Sequence, residues 1–167
     1  MNLKKRTIGI SDATRLTITP HRMFEKERVP QKVLQENAEI HQRLGADNTE
    51  EVELRLGDWV LRGVPDQIYD DRIVEVKVRR PASRVDELFM QGLYQAATYA
   101  RALDMQKAEL WIYNISTGEV EAYEYNIEDV GTVEFLTMME ANLNRLSALR
   151  SFFNRDLLDR PSMNKIT

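Results

Sequence analysis

The chain has 167 residues, 43% of them hydrophobic and 30% charged, which is long enough to bury a sizeable core and ordinary in balance for a soluble globular protein. It has no cysteine, which excludes disulfides and any cysteine-ligated cluster, and no apolar run long enough to span a membrane. The net charge of −4 does not announce a nucleic-acid binder, and no signal-peptide core follows the basic start from Met1 to Arg6.

Ser11 is the expected N-cap of a short first helix. Pro20 begins a second helix, expected over 20–28, and Pro30 opens a third that ends at Gly45. The alternating stretch 51–56 predicts a strand, and Gly57-Asp58 turns it into a second arm, 59–69, rich in aromatic and branched residues. Over 72–78, Val74, Val76 and Val78 fall on one side and Ile73, Glu75 and Lys77 on the other, the period-2 alternation of a strand. With Asp70-Asp71 as the turn, Tyr69 pairs with Arg72, Ile68 with Ile73, and Asp66 with Glu75. Pro81 ends this strand. A helix follows over 85–103, with Val85, Leu88, Phe89, Leu93, Ala96, Ala97, Ala100 and Leu103 as its apolar stripe. A further hairpin, 107–113 with 119–125, turns around Ser116-Thr-Gly118. A long amphipathic helix is expected over 128–151, carrying Val133, Leu136, Met139, Leu143, Leu146 and Leu149. The polar stretch 154–167 reads as a flexible tail. No repeat or linker divides the chain, so 1–167 is expected to be one domain.

The expected pairing brings two carboxylates, Asp66 and Glu75, face to face across adjacent strands, with Cβ atoms about 5 Å apart. Opposed like charges destabilise a sheet. A divalent cation between them removes the repulsion, and hard cations favour carboxylate oxygens. Lys77 lies on the same face, so a metal there would have a lysine beside it, a pair suited to activating water and stabilising charge on a phosphate. By the same reasoning, replacing either acid by alanine is expected to relieve a repulsion and spare the fold.

Pro65-Asp66 followed by Glu75-Val-Lys77 resembles the PD-(D/E)xK nuclease signature. Ala38-Glu-Ile-His41 ahead of it is similar to the histidine-bearing helix of the RecB-like branch, and Gln95-Ala-Ala-Thr-Tyr99 behind it matches that branch's Q-x-x-x-Y motif. Ile10-Ser-Asp-Ala-Thr, then Thr19-Pro-His-Arg-Met-Phe24, resembles the opening of CRISPR-associated RecB-like exonucleases. The resemblance covers 8–125. Many members of that branch carry an iron–sulfur cluster on four cysteines. Thr19 stands where one of those cysteines is expected, and this chain has none, so no iron–sulfur cluster is expected.

The resemblance implies an α/β restriction-endonuclease-like core, a central mixed β-sheet flanked by helices, consistent with the order helix, three strands, helix, strand. It implies a single nuclease domain hydrolysing DNA phosphodiester bonds, as an exonuclease leaving 5′-phosphate products on single-stranded or free ends. His41, Asp66, Glu75 and the Val76 carbonyl would hold Mg²⁺ or Mn²⁺, the imidazole favouring Mn²⁺. Lys77 would act on the attacking water, while Gln95 and Tyr99 hold the substrate and support the site. A cytoplasmic protein, or one of the host cytoplasm if viral, fits this reading, with no membrane partner. The oligomeric state is open, a homo-oligomer included.

Blander readings stand beside these. His41 borders an apolar face, where a lone histidine is more often a packed core residue than a ligand. Gln91, Gln95 and Tyr99 share a helix face expected to lie opposite the apolar stripe, an ordinary polar surface for Gln91 at least. Tyr94 offers a rival hydroxyl nearby. Trp111, Tyr113, Tyr123 and Tyr125 are at strand spacing and read as packing rather than as base-stacking groups. Arg72, Lys77, Arg79, Arg80 and Arg84 could hold a phosphate backbone as a group, although each alone reads as a solvated charge. For the chain as a whole, a catalytically inactive nucleic-acid or protein-binding module of the same fold is the alternative. An unrelated α/β scaffold with surface acids is a further one.

Overall fold

A computed structural model describes residues 6–21 and 29–158. The elements run β1 (Arg6–Gly9), α1 (Ile10–Ile18), α2 (Gln31–Arg43), β2 (Val52–Leu56), β3 (Trp59–Gly63), β4 (Gln67–Ile68), β5 (Arg72–Arg79), α3 (Val85–Ala102), β6 (Lys107–Asn114), β7 (Val120–Asn126) and α4 (Thr132–Leu158). They form two ladders, β1-β3-β2 and β4-β5-β6-β7. Both are mixed: β1 runs parallel to β3 and β5 parallel to β6, while the remaining pairs are antiparallel. The parallel β5–β6 pair needs a crossover, and α3 supplies it.

The arm expected as one strand over 59–69 is two strands in two ladders. β3 pairs with β1 and β2, and only Gln67-Ile68 pairs with β5. Pro65 lies at the break, fully buried. With no N–H to donate, it ends the first ladder and lets the chain cross to the second. The turn register is nevertheless the expected one, with Ile68 opposite Ile73 and the Tyr69 N–H donated to the Arg72 carbonyl at 2.9 Å.

The core lies between the ladders and the helices. Ile10 and Ala13 of α1, Leu61 of β3, Ile73 of β5, Ala96, Ala97 and Ala100 of α3, and Phe135, Leu136, Met139 and Leu143 of α4 make one cluster. The alanines let α3 approach α1 and the sheet closely, which is why the helix is buried on nearly every side along 95–100. Tyr94 stacks on Phe135, centroids 3.9 Å apart, and donates its hydroxyl to the Val130 carbonyl at 2.9 Å, so it serves the α3–α4 contact. Of the four aromatics of the β6–β7 hairpin expected to pack, Tyr125 lies partly buried against the core, Trp111 and Tyr113 are half-buried, and Tyr123 is exposed. Tyr123 meets Phe89 edge-on, Tyr125 donates to the Leu93 carbonyl, Trp111 donates to Glu109, and Arg43 lies over the Tyr113 ring.

Several expected boundaries move. The residue before α1 is Gly9, with no side-chain cap; Ser11 is already inside the helix. Pro30 occupies the N-cap of α2, one place outside the helix it was expected to open. Of the expected 20–28 helix, Pro20 and His21 form a short 3₁₀ turn and 22–28 lie outside the described residues. The C-terminal helix runs Thr132–Leu158 instead of 128–151, because Glu128 and Gly131 close a backbone turn just before it. It thereby takes in part of the expected 154–167 tail; 159–167 lie outside the described residues. Val133 and Leu149 of its expected stripe are exposed, as is Val85 at the start of α3. Among the described residues no helix is long and apolar enough to cross a membrane.

Candidate active site

β5 carries the centre of the site. Its residues are buried on both faces from Ile73 to Val76, so Glu75, 4% exposed, is a carboxylic acid inside the molecule. Asp66 stands one step beyond the last ladder pair, opposite Glu75. Its Oδ2 accepts the Val76 N–H at 2.7 Å, taking the place a strand carbonyl would have held. Asn48 fixes this turn from the outside. Its side-chain amide donates to the Pro65 carbonyl at 2.9 Å and its backbone N–H to the Asp66 carbonyl at 3.2 Å. The expectation that losing Asp66 would spare the fold therefore needs correction: alanine there would strip a buried N–H of its acceptor.

α2 brings His41 to the same place. Nδ1–H donates to the Asn37 carbonyl one turn earlier at 2.7 Å, while Nε2 lies 3.2 Å from the Val76 carbonyl and 3.5 Å from Asp66 Oδ2. Every partner is an acceptor, an environment that favours the protonated imidazole. The contact with Asp66 accordingly raises His41 to about 9, against the burial that would lower it. Burial lifts Glu75 well above the usual carboxylate range, Asp66 adds to the lift, and Lys77 opposes it. Glu75 Oε2 is buried without a hydrogen-bond partner.

α3 closes the other side. Lys77 Nζ donates to Gln95 Oε1 at 2.7 Å and lies 3.7 Å from Glu75 Oε1. Gln95 and Tyr99 are 6% and 2% exposed, so they do not form the polar face expected of them. They are polar residues buried against the acids. The Tyr99 hydroxyl is held neutral by burial first and by the Glu75 charge second, and it lies where a side chain at position 63 would be, which is why that residue is glycine. Gly92 plays the same part for Lys77: a Cβ there would collide with Leu110 and come within 3.0 Å of Lys77 Cγ.

His41, Asp66, Glu75, Val76, Lys77, Gln95 and Tyr99 are thus brought together. Three of the arginines have carboxylate partners outside this group. Arg72, at the far end of β5, pairs with Glu109 at 2.8 Å and Glu124 at 3.1 Å, Arg80 pairs with Glu36, and Arg84 with Glu87. Sequence reasoning missed Asn37, whose carbonyl accepts from His41, and Asn48, whose side chain and backbone N–H brace the Asp66 turn. It also missed Gly63 and Gly92, whose only signal is the absence of a side chain.

The donor set fits a divalent ion by its chemistry: one imidazole, two carboxylates and a peptide carbonyl. The groups meet pairwise, and among the described residues no three His, Cys, Asp or Glu side chains converge into a formed metal cluster. The unpartnered Glu75 oxygen is a buried acceptor open to a cation.

Replacing Gly92 by alanine tests the helix approach. Overpacking costs about 1–3 kcal/mol, only partly offset by alanine's better helix propensity of about 1 kcal/mol. The expected outcome is a lower melting temperature together with a loss of any activity that depends on Lys77. Wild-type values of both would mean that α3 does not hold that side chain in place.

No family model matches the chain, and no curated protein matches it. Solved structures do. The crystal structure of SSO0001 is similar with a TM-score of 0.60 at 16% identity, over 86% of this chain and 77% of that one. An alkaline exonuclease from Laribacter hongkongensis, LHK-Exo, is similar with a TM-score of 0.50 at 12% identity, over 92% and 94% of the two chains. The same exonuclease in complex with dAMP gives 0.54 at 14% identity, over 91% and 93%. At these identities the likeness is one of fold and does not extend to the RecB-like branch. The chain has the restriction-endonuclease-like α/β fold that its sequence led us to expect.

Proposed function

We propose that this chain is a divalent-metal-dependent deoxyribonuclease whose site is His41, Asp66, Glu75, the Val76 carbonyl and Lys77. The observation that carries the proposal is a buried, half-unpartnered glutamate beside an aspartate, a histidine and a lysine. A fold needs no such cluster for stability, because desolvating buried ionisable groups costs about as much as their pairing returns. Mg²⁺ or Mn²⁺ bound there would supply Lewis-acid polarisation of a phosphate oxygen and a water of lowered pKa.

Each residue then has a task. Asp66 is aimed by the Val76 N–H and the Asn48 brace. His41 presents Nε2, its other nitrogen being tied to Asn37. Lys77, held by Gln95, orients the attacking water and offsets charge on the scissile phosphate. Tyr99 keeps its proton and closes the floor of the site under Gln95 and Glu75. Attack in line on phosphorus expels the 3′-oxygen and leaves the phosphate on the 5′ side. Exonuclease action on DNA ends is favoured by the RecB-like motifs and by the likeness to an alkaline exonuclease solved with dAMP.

Cleavage of labelled single- and double-stranded DNA tests the reading. The expected result is stepwise shortening from an end in Mg²⁺ or Mn²⁺, with 5′-phosphorylated products, stopped by EDTA. DNA binding without cleavage in either metal would favour the inactive module of the same fold.

A further inference from the structure

α2 carries His41, yet Ile40 is its one buried residue. A helix so thinly packed needs another tie to hold a side chain in register, and the tie is polar. Arg80 follows directly on β5. Its Nη2 donates to the Asn37 side-chain oxygen at 2.6 Å, and its Nη1 to Glu36 at 3.3 Å. Its own backbone is fixed by a reciprocal turn: its N–H donates to Ser83 Oγ at 2.9 Å and its carbonyl accepts the Ser83 N–H at 3.0 Å. Asn37 is therefore gripped twice. The guanidinium holds its side chain, and its carbonyl holds the His41 ring through Nδ1–H at 2.7 Å.

We propose that Arg80 is a positioning residue for His41, clamping α2 through Asn37 and Glu36 so that the imidazole Nε2 faces Asp66 and the Val76 carbonyl. The inference rests on the proposed metal site for its purpose, although not for its geometry. A planar fork reaching two acceptors on successive residues fixes both the position of α2 along β5 and its rotation, which a single ammonium does not. The alternatives are an ordinary surface ion pair, which contributes little, and a guanidinium reserved for a phosphate backbone.

The direct test is the His41 ring proton in the metal-free protein. The chain has two histidines, so a His21→Gln variant assigns the ring signals. The Nδ1–H of His41 should be protected from solvent exchange in the wild type. It should exchange at least about tenfold faster in Arg80→Ala, with partial recovery in Arg80→Lys. Unchanged protection in Arg80→Ala overturns the proposal. If that variant fails to fold, Arg80→Gln, which retains a donor, and Arg80→Lys are compared in its place under the same criterion.

Calorimetric Mn²⁺ titration adds a second readout. Loss of a partner that orients a ligand commonly weakens metal binding about 10–100-fold. That loss is expected for Arg80→Ala in the wild type and should vanish in a His41→Ala background. An equal loss in both backgrounds shows that Arg80 does not act through His41 and overturns the proposal. Absence of Mn²⁺ binding by the wild type defeats the metal-site reading alone, because ring-proton exchange still decides for or against the clamp.

Discussion

Replacing Lys77 by methionine is expected to lower DNA cleavage by about a hundred-fold or more while leaving metal affinity close to wild type, since in the proposed site the lysine acts on the reacting groups and is not a ligand. Methionine keeps a stem against Gly92 and removes the charge. Both variants leave the buried Gln95 Oε1 without its donor, at a cost of about 1–3 kcal/mol, and alanine is the harsher test because it removes the stem as well. Glu75→Gln makes the complementary forecast. It preserves shape and removes the charge that burial disfavours, so the protein should melt higher at pH 8 in the absence of metal while cleavage and metal binding are lost. Asp66→Asn and Asp66→Ala should both abolish cleavage, with only the alanine variant markedly destabilised, because asparagine still offers an oxygen to the Val76 N–H. Melting curves and single-turnover rates on the same samples separate these outcomes. Wild-type turnover in Lys77→Met would remove the lysine from the chemistry.

The second large effect is an opposite response to pH with and without metal. His41 is raised in the folded state from 6.5 to about 9, so its contribution to stability is complete below about 6.5 and is lost as pH rises through about 9. Glu75 is also raised from its ordinary 4.5, so it works in the same direction, its contribution declining from 4.5 upward through its higher folded value. The metal-free protein should lose on the order of 2 kcal/mol, about 5 °C in melting temperature, between pH 6 and pH 9.5. Protons and a divalent ion compete for the same atoms, so the stabilisation by a fixed Mn²⁺ concentration should grow over that interval. Activity should rise toward alkaline pH with it. His41→Ala should flatten the metal-free decline between 6.5 and 9. A metal-free melting temperature that climbs with pH would mean that the acids and histidine do not share protons as described.

The meeting of Asp66 and Glu75 was legible because strand periodicity is rigid. Alternation over 72–78 fixed which side chains share a face, and a two-residue turn at Asp70-Asp71 fixed what lies opposite. The change of ladder at Val64-Pro65-Asp66 was not legible, although Pro65 was the available signal. Aromatic and branched residues suit either ladder, and only tertiary packing assigns them. Gln95 and Tyr99 were recognised by motif and misplaced by pattern. A helical stripe separates apolar from polar positions, and it has no means of showing that α3 is covered on the polar side too, where Lys77 and Glu75 satisfy the buried groups. Sequence proximity to the hairpin says nothing about the carboxylates of β6, β7 and α2 that engage Arg72 and Arg80. Tyr94 was a rival to Tyr99 in sequence alone, and its contact with Phe135 and the Val130 carbonyl removes it.

The account stands on one divalent site made by His41, Asp66, Glu75 and the Val76 carbonyl, and calorimetric titration of Mn²⁺ at pH 6.5 and pH 8.5 measures it most directly. The wild type should bind with an affinity that rises with pH. His41→Ala should bind more weakly and with a shallower pH dependence, Lys77→Met should bind as the wild type does, and Glu75→Gln should show no binding at that site. Equal affinity and equal pH dependence in wild type, His41→Ala and Glu75→Gln would contradict the account, returning the histidine to the core and the glutamate to a structural role.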